Sequence, residues 1–524
     1  MNKIYIKSAL VALMGMSLNS CSDFLEPKSS SEFVPKDANS LNELLLGEAY
    51  PRTTGTYFLE GFTHLFDDDV AMADYQEPHT GFNTEIYFIP FTWQPDLWNR
   101  LDQVTQAKSY NQYYSCYEFI LGCNAILDYI GQAEGDLQAD IDNVMAQAHT
   151  LRAFYYMTLV NLFGAPYNYA PDSPGVPLKL TSQIENKPLV RNTVKEVYDQ
   201  IVLDLKTAIE LYEGLPAASQ WKTDYRTSLP MAELLLSRVY LYMENWEEAA
   251  KYAERVMNNP NFSLKDLNTV SRYTSTAPIK RTYLDFHNYT NSSECIWPYG
   301  SVGDTALWLT EFHSTSNDAM PDTHSYFKAS PDLMDSFEPY DLRKDCYVVR
   351  SWYVDSSGEE FPQAIGKVAI STTNYLAASG LSVFGRSFRL AEAYINYAEA
   401  KSNIAGGEID AVAALNELRK MRFEDGHFEA LGSMDSEACR KFVREERRRE
   451  LCFEGHRWND LRRWGMPEIK HVWYPDAETA VEYVLSAQDL QYTLPIPHTS
   501  IDANPQLTQN PQADGPRQGT NILL

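Results

Sequence analysis

Seven consecutive charged residues, Arg444 to Glu450, sit between Phe442-Val443 on one side and Leu451-Cys452-Phe453 on the other. Seven residues of α-helix make nearly two turns and point in every direction. A helix with apolar ends must therefore press some of these charges against its neighbours. A buried charge is tolerated only when it is paired and hydrogen-bonded. The signs interleave so as to supply partners: Glu445 lies four before Arg449, Glu446 three before Arg449, and Arg447 three before Glu450. The run belongs to a longer Arg-rich block, 440–465, whose basic density first suggests a nucleic-acid surface. Interleaved acids favour a paired structural helix instead. The whole chain agrees: 71 acidic against 44 basic residues give a formal net charge of −27, which phosphate backbones repel. No nucleic-acid partner is expected.

Helical periodicity dominates the rest of the sequence. Candidate helices span 39–48, 105–131, 136–163, 192–213, 229–243, 246–258, 386–404, 408–423 and 436–453. Between 260 and 385 the texture changes. Short apolar runs such as Cys295-Ile296-Trp297 and Tyr347-Val348-Val349 lie among Ser, Thr, Asn, Gly and Pro. That region is expected to hold short strands and long loops. The tail after Ala503 is rich in Asn, Gln and Pro and is expected to wrap the surface.

Two helix pairs resemble tetratricopeptide-type hairpins. In the first, Ser237, Tyr240 and Ala249 take small, aromatic and Ala positions, with Asn245-Trp246 at the turn. In the second, Leu390, Tyr394 and Tyr397 form one stripe, Ala405-Gly406-Gly407 stops the helix, and 411–418 returns. Small residues let paired helices approach closely, and neighbouring pairs bury a shared face. The pairs are far apart in sequence. The expectation is a mainly α scaffold of helices within 105–258 and 386–465, interrupted by a loop-rich insert at about 260–385, in one composite unit over 41–524.

The N-terminus speaks to compartment. Lys3 and Lys7 precede a short apolar run, 9–18, and then Leu18-Asn19-Ser20-Cys21. The run is too short to span a membrane. Residues 1–20 look like a lipoprotein signal peptide, with Cys21 as the lipidated first residue and 21–40 as a flexible polar tether. The other six cysteines are Cys116, Cys123, Cys295, Cys346, Cys439 and Cys452. An exported protein can keep disulfides, but no spacing here repeats like a disulfide framework or a zinc site. Cys116 and Cys123 fall on one expected helix, too far along its axis to bond to each other. Most of the six are expected to be small buried residues.

Five ordered segments carry a family resemblance. They are Tyr117, Ile120 and Asn124 in a Tyr-x-x-Ile-x-x-x-Asn helix; Arg152-Ala153-Phe154-Tyr155-Tyr156 with Phe163-Gly164-Ala165-Pro166; Arg389 to Ala400; the Arg-rich block; and Leu494-Pro495-Ile496-Pro497 with Asp502-Ala503-Asn504-Pro505, and ahead of them Cys21-Ser22-Asp23-Phe24-Leu25 fits the same pattern. The chain resembles the SusD/RagB family, the surface nutrient-binding lipoproteins of Bacteroidetes. The resemblance implies a helical fold of four tetratricopeptide-like pairs supporting a loop-rich ligand face. It also implies an outer-membrane location facing the exterior and a TonB-dependent transporter as partner. Ligand contacts in that family come from variable loops, so no site residue is carried over by motif.

Candidate contacts come from the residues themselves. The segment 66–100 has little helical period and holds Asp67, Asp68, Asp69, Asp74, Tyr75, His79, Trp93 and Trp98. Sugars present C–H faces ringed by hydroxyls; indoles cover the faces, and carboxylates and amides meet the hydroxyls. Asp69, Tyr75, Trp93 and Trp98 are therefore candidate ligand residues. The competing reading has the two indoles plugging the gap between loop and scaffold. In the loop-rich insert, Trp308 lies in a polar stretch beside Gly303 and Asp304, and Trp352 and Tyr353 flank a polar turn; Trp297 ends an apolar run and reads as core.

Sharper chemistries fare worse. Asp67-Asp68-Asp69 fails the calcium-loop spacing, lacking the glycine of its sharp turn. No nucleophile elbow, phosphate-cradling loop or His-Glu-x-x-His run occurs. No cofactor, metal or catalytic residue is expected. The leading reading is a non-catalytic glycan-binding lipoprotein that hands oligosaccharides to a transporter. A peptide- or other nutrient-binding member of the same family is the alternative. A surface glycosidase and a helical scaffold without a small ligand stand behind these.

Overall fold

A computed structural model describes residues 37–51, 62–72, 84–104, 111–133, 137–184, 188–270, 286–301, 327–351, 361–363, 367 and 384–522. Among these residues the helices of seven residues or more are α1 (Ala38–Glu48), α2 (Glu85–Phe91), α3 (Leu97–Val104), α4 (Gln112–Tyr129), α5 (Gln138–Phe163), α6 (Val194–Glu213), α7 (Leu229–Tyr242), α8 (Trp246–Met257), α9 (Leu390–Ser402), α10 (Glu408–Lys420), α11 (Ser436–Leu451) and α12 (Arg457–Arg463). Local chemistry sets many of the ends. Asp37 and Asp435 accept backbone N–H groups at the starts of α1 and α11, and Thr193 with Glu196 closes a capping box on α6. The α9–α10 turn needs its glycines. Gly406 sits at φ +79°, and a Cβ on Gly407 would lie 2.3 Å from the Lys401 carbonyl oxygen.

The helices expected from periodicity correspond to α1 and α4–α11. Residues 105–110, which the first long candidate included, lie outside the described residues. One start differs: residues 384–389 form a strand before α9 begins. That strand is buried along its whole length, so neither an alternating nor a helical pattern marks it.

Each long helix packs on the next: α4 on α5, α5 on α6, α6 on α7 and α7 on α8. Ser237 on α7 donates to the Ala249 carbonyl of α8 at 2.9 Å, the close approach that the small residues permit. α8 then packs directly on α9, although residues 258–389 lie between them in sequence. α10 and α11 complete the stack against α9. The helical series is thus continuous in space where it is interrupted in the chain.

The strands are short and antiparallel. β1 (Val70–Met72) pairs with β3 (Phe327–Ala329), β2 (Cys295–Ser301) with β6 (Phe384–Arg389), and β4 (Val349–Ser351) with β5 (Phe361–Gln363). β7 (Ile469–Asp476), β8 (Thr479–Leu485) and β9 (Thr520–Ile522) form a separate sheet. The tail runs back across the scaffold before it reaches β9. On the way Asn510 donates to the carbonyls of Phe163 and Leu494 at 2.8 and 2.7 Å, and Asn504 to that of Leu189 at 2.7 Å.

The Arg-rich block is a helix whose inner charges are paired. Glu446 and Arg449 meet at 2.8 Å, as their spacing predicts. The other two expected pairs do not form. Arg447 reaches Asp460 on α12 at 2.8 Å and Asn396 on α9 at 2.7 Å, while Glu450 takes Arg389, Arg422, Arg343 and the Tyr347 hydroxyl. Glu445 faces outward, 3.9 Å from Lys441. All six cysteines beyond Cys21 are buried.

Candidate functional site

Three of the candidate ligand residues lie in the core. Trp93 is buried, donates from Nε1 to the Phe66 carbonyl at 3.0 Å and stacks on His471 with ring centres 4.2 Å apart. Trp98 is buried and donates to the Pro495 carbonyl at 2.8 Å. Asp69 accepts from Arg448 at 2.7 Å and its carbonyl receives the Ser330 amide at 2.8 Å. Neither indole presents a face to solvent, and Asp69 is buried with Oδ1 held by Arg448 of the Arg-rich block. For both tryptophans the geometry matches the gap-filling reading. The segment 66–100 in fact contains α2 and the first half of α3. Pro90 lies inside α2, and both helices are short, so the sequence shows no clear helical period.

The acidic triplet is a fastener. Asp68 accepts from Arg457 through Nε and Nη2 at 2.6 and 2.7 Å. Burial works against its charge, but the Arg457 hydrogen bonds and charge outweigh it and hold the carboxyl at about 2. This ties the start of β1 to α12.

Tyr75, Trp308 and Trp352, with Asp74, His79 and Tyr353, lie outside the described residues. The points where their segments attach are described. Met72 ends β1 and pairs with Phe327, which begins β3. The segments holding Tyr75 and Trp308 therefore join the same end of one strand pair. Ser351 ends β4 opposite Phe361 of β5, and β5 packs on β3. The segment holding Trp352 thus joins a neighbouring strand pair.

Beneath these attachments lies an aromatic base. The Phe327 ring meets Phe91 at 5.0 Å and Tyr87 at 5.7 Å, and Phe91 stacks on His471 at 4.1 Å. His471 Nδ1 is 2.7 Å from the Phe91 carbonyl oxygen, and Nε2 is 2.9 Å from that of Asp67. Burial lowers its pKa to about 4 against the pull of the two carbonyls. Trp297, read as core, is buried and donates to the Tyr225 carbonyl at 2.9 Å.

The segments behind the family resemblance have a visible task. Arg152 binds Asp204 through two hydrogen bonds, at 2.6 and 2.9 Å, and donates to Asn124 at 2.8 Å. Tyr117 donates to the Pro177 carbonyl, and Asn124 and Tyr156 to that of Lys179. Together they clamp an extended segment onto α4 and α5. A family model described as "SusD family" matches residues 374–512, and one described as "Starch-binding associating with outer membrane" matches residues 23–241. The chain belongs to the SusD/RagB family.

Among SusD/RagB relatives, a SusD-like protein of Formosa agariphila, P2, is 26% identical over 422 residues, covering 75% of this chain and 78% of that protein. A SusD superfamily protein of Bacteroides thetaiotaomicron has the same fold at a TM-score of 0.64, with 19% identity, covering 91% of this chain and 100% of that one. A Bacteroides vulgatus structure described as a SusD-like carbohydrate binding protein aligns at a TM-score of 0.63 with 20% identity, covering 90% and 98%. The mainly helical SusD/RagB scaffold expected from the sequence is thus the fold observed.

A second feature was not legible in the sequence. A cleft of about 310 Å³ opens between the first turns of α1 and α5 and the turn at 219–228. Its lining comes from three separate stretches, and Trp221 carries no motif around it.

Proposed function

We propose that this SusD/RagB protein captures oligosaccharides at the outer-membrane surface and passes them, unaltered, to a TonB-dependent transporter. The observation that carries this reading is the pairing of Met72 with Phe327, which gives the segments of Tyr75 and Trp308 a common, rigid aromatic base. Aromatic and carboxylate residues on loops held by a stiff scaffold suit sugars, whose C–H faces and hydroxyls need both. The family model for residues 23–241, whose description speaks of starch binding and the outer membrane, supports the same ligand class. Lipidation at Cys21 would hold the protein on the membrane, with 21–40 as the tether. Tyr75, Trp308 and Trp352 are the proposed contacts.

Calorimetry of the mature chain against a broad panel of polysaccharides tests the reading. Binding of at least one glycan without release of shorter products is expected. A folded protein that binds no member of the panel, or one that cleaves its ligand, overturns it. Co-purification with a TonB-dependent transporter from outer membranes tests the hand-off.

A further inference from the structure

We propose that the cleft between α1, α5 and the turn at 219–228 is a second saccharide site, shaped for one neutral sugar residue. It rests on the carbohydrate-binding reading for its ligand class, but on none of the residues of the aromatic base. Its volume of about 310 Å³ is at the small end of the range for small-molecule sites.

Three of the residues that line this one cleft each carry a buried polar atom with no protein partner: Gln147 Nε2, Arg226 Nε and Ser228 Oγ. Gln147 is only 1% exposed and Ser228 5%. Buried polar groups in folded proteins are nearly always satisfied, so three orphans in one place call for a ligand or for ordered water. The orientation of Gln147 is fixed from behind. The Tyr50 hydroxyl accepts from the Thr227 amide at 2.9 Å and gives its proton to Gln147 Oε1 at 2.7 Å. The amide oxygen is therefore occupied, and the NH₂ group is left without a protein partner at the cleft wall.

Ser228 has a comparable history. It is the N-cap residue of α7, yet its hydroxyl makes no capping bond. Pro230 follows in the first turn and has no N–H to offer. The hydroxyl is left without a protein partner at the cleft wall. Arg226 is aimed by Asp224, which takes its backbone N–H at 2.8 Å and Nη1 at 3.2 Å and leaves Nε over.

The remaining lining fits a sugar better than an ion. Asp140 and Asp224 are offset by Lys222 and Arg226, so the lining carries no net charge. Trp221 meets Phe262 edge to face at 5.1 Å and stays partly exposed, leaving apolar surface for a C–H face. Donors from Gln147 and Arg226, acceptors from the carboxylates and a hydroxyl that does both match a ring of vicinal hydroxyls.

The test uses the full mature chain with neutral hexoses and pentoses and their di- and trisaccharides, and with glucuronate as the acidic arm. Saturation-transfer NMR and calorimetry are run on the parent, Ser228→Ala, Trp221→Ala and Trp308→Ala. Ser228 Oγ makes no hydrogen bond within the scaffold, so Ser228→Ala removes a site group and leaves the fold's contacts in place. The expected result is a neutral sugar whose affinity falls about tenfold in Trp221→Ala and about two- to tenfold in Ser228→Ala, with Trp308→Ala leaving that component unchanged. Sugar binding that survives both cleft variants overturns the second site and leaves the proposed function standing. Cleft-dependent binding of glucuronate alone overturns the neutral class. A parent that binds none of these sugars overturns the second site, while the proposed function is decided by the polysaccharide panel.

Discussion

Arg389 Nη1 and Glu450 Oε1 lie 2.7 Å apart, with neither side chain exposed. Arg389 is the last residue of β6, and Glu450 is near the end of α11, so this contact joins the loop-bearing part of the fold to the helical stack. Burial raises the pKa of Glu450, but Arg422, Arg389 and Arg343 overcome that and hold its carboxyl well below the usual range. Glu450→Gln would keep the shape and remove the charge, leaving three guanidinium groups short of a partner. The expected cost is about 3–5 kcal/mol, the range for breaking a buried pair. Urea denaturation would measure it, and glycan affinity of the folded variant should not change.

Arg447→Ala makes a parallel prediction inside the helical stack. The guanidinium is buried and joins α11 to α12 through Asp460 and to α9 through Asn396. Its removal leaves a cavity and strips Asp460 of one cation, although Arg463 still reaches that carboxylate at 2.8 Å. A loss of about 3 kcal/mol or more is expected, with intrinsic ligand affinity unchanged. Weaker binding by a fully folded variant would show that the block does more than buttress.

Acid should weaken the fold through the same network. Glu446 and Glu454 are buried, which alone would raise them, but their Arg and Lys partners hold both at about 2, against an ordinary 4.5. A folded-state pKa below the unfolded one means stability that is present above about 4.5 and lost as pH falls toward 2. His287, which burial pushes down to about 3 from 6.5, acts in the same direction, because the unfolded chain takes up its proton first. The melting temperature should therefore fall progressively from pH 6.5 downward, most steeply below 4.5. A flat profile between pH 6.5 and 3 would contradict the pairing described.

Trp93 and Trp98 separate packing from binding. Each fills the core and donates its indole N–H to a carbonyl. Trp98→Ala should cost about 3–5 kcal/mol. Trp98→Phe keeps most of the ring but orphans the Pro495 carbonyl, and should cost about 1–3 kcal/mol. Neither change should alter the affinity of the folded protein for a glycan, which calorimetry at low temperature would establish.

The helices were legible because each carries its own signals. Caps such as Asp37, Thr193 and Asp435 mark the starts, and Gly406-Gly407 marks a stop. The Arg-rich block was legible as buried, but the partners that replace two of its three expected pairs were not, since Asp460, Arg389 and Arg422 come from elsewhere in the chain. Trp93 and Trp98 look alike in sequence whether they face sugar or core. Their fate is set by His471 and Pro495, which arrive from the far end of the chain. The cleft at Trp221 was illegible for the same reason, as was the meeting of α8 with α9.

Tyr75 and Trp308 offer the sharpest test of where ligand is held. Their segments leave the β1–β3 pair at the same end, where Met72 faces Phe327. If both side chains touch one ligand, their contributions are coupled, because losing either lets the ligand shift away from the other. Residues that share a partner typically show interaction energies of about 0.5–3 kcal/mol, whereas distant ones add within about 0.5. Tyr75→Ala and Trp308→Ala should each weaken glycan binding, and the double variant should lose less than the sum of the two. A double-mutant cycle by calorimetry measures this. Strict additivity would place the two residues at separate subsites, and no loss in either single variant would move the ligand away from this strand pair.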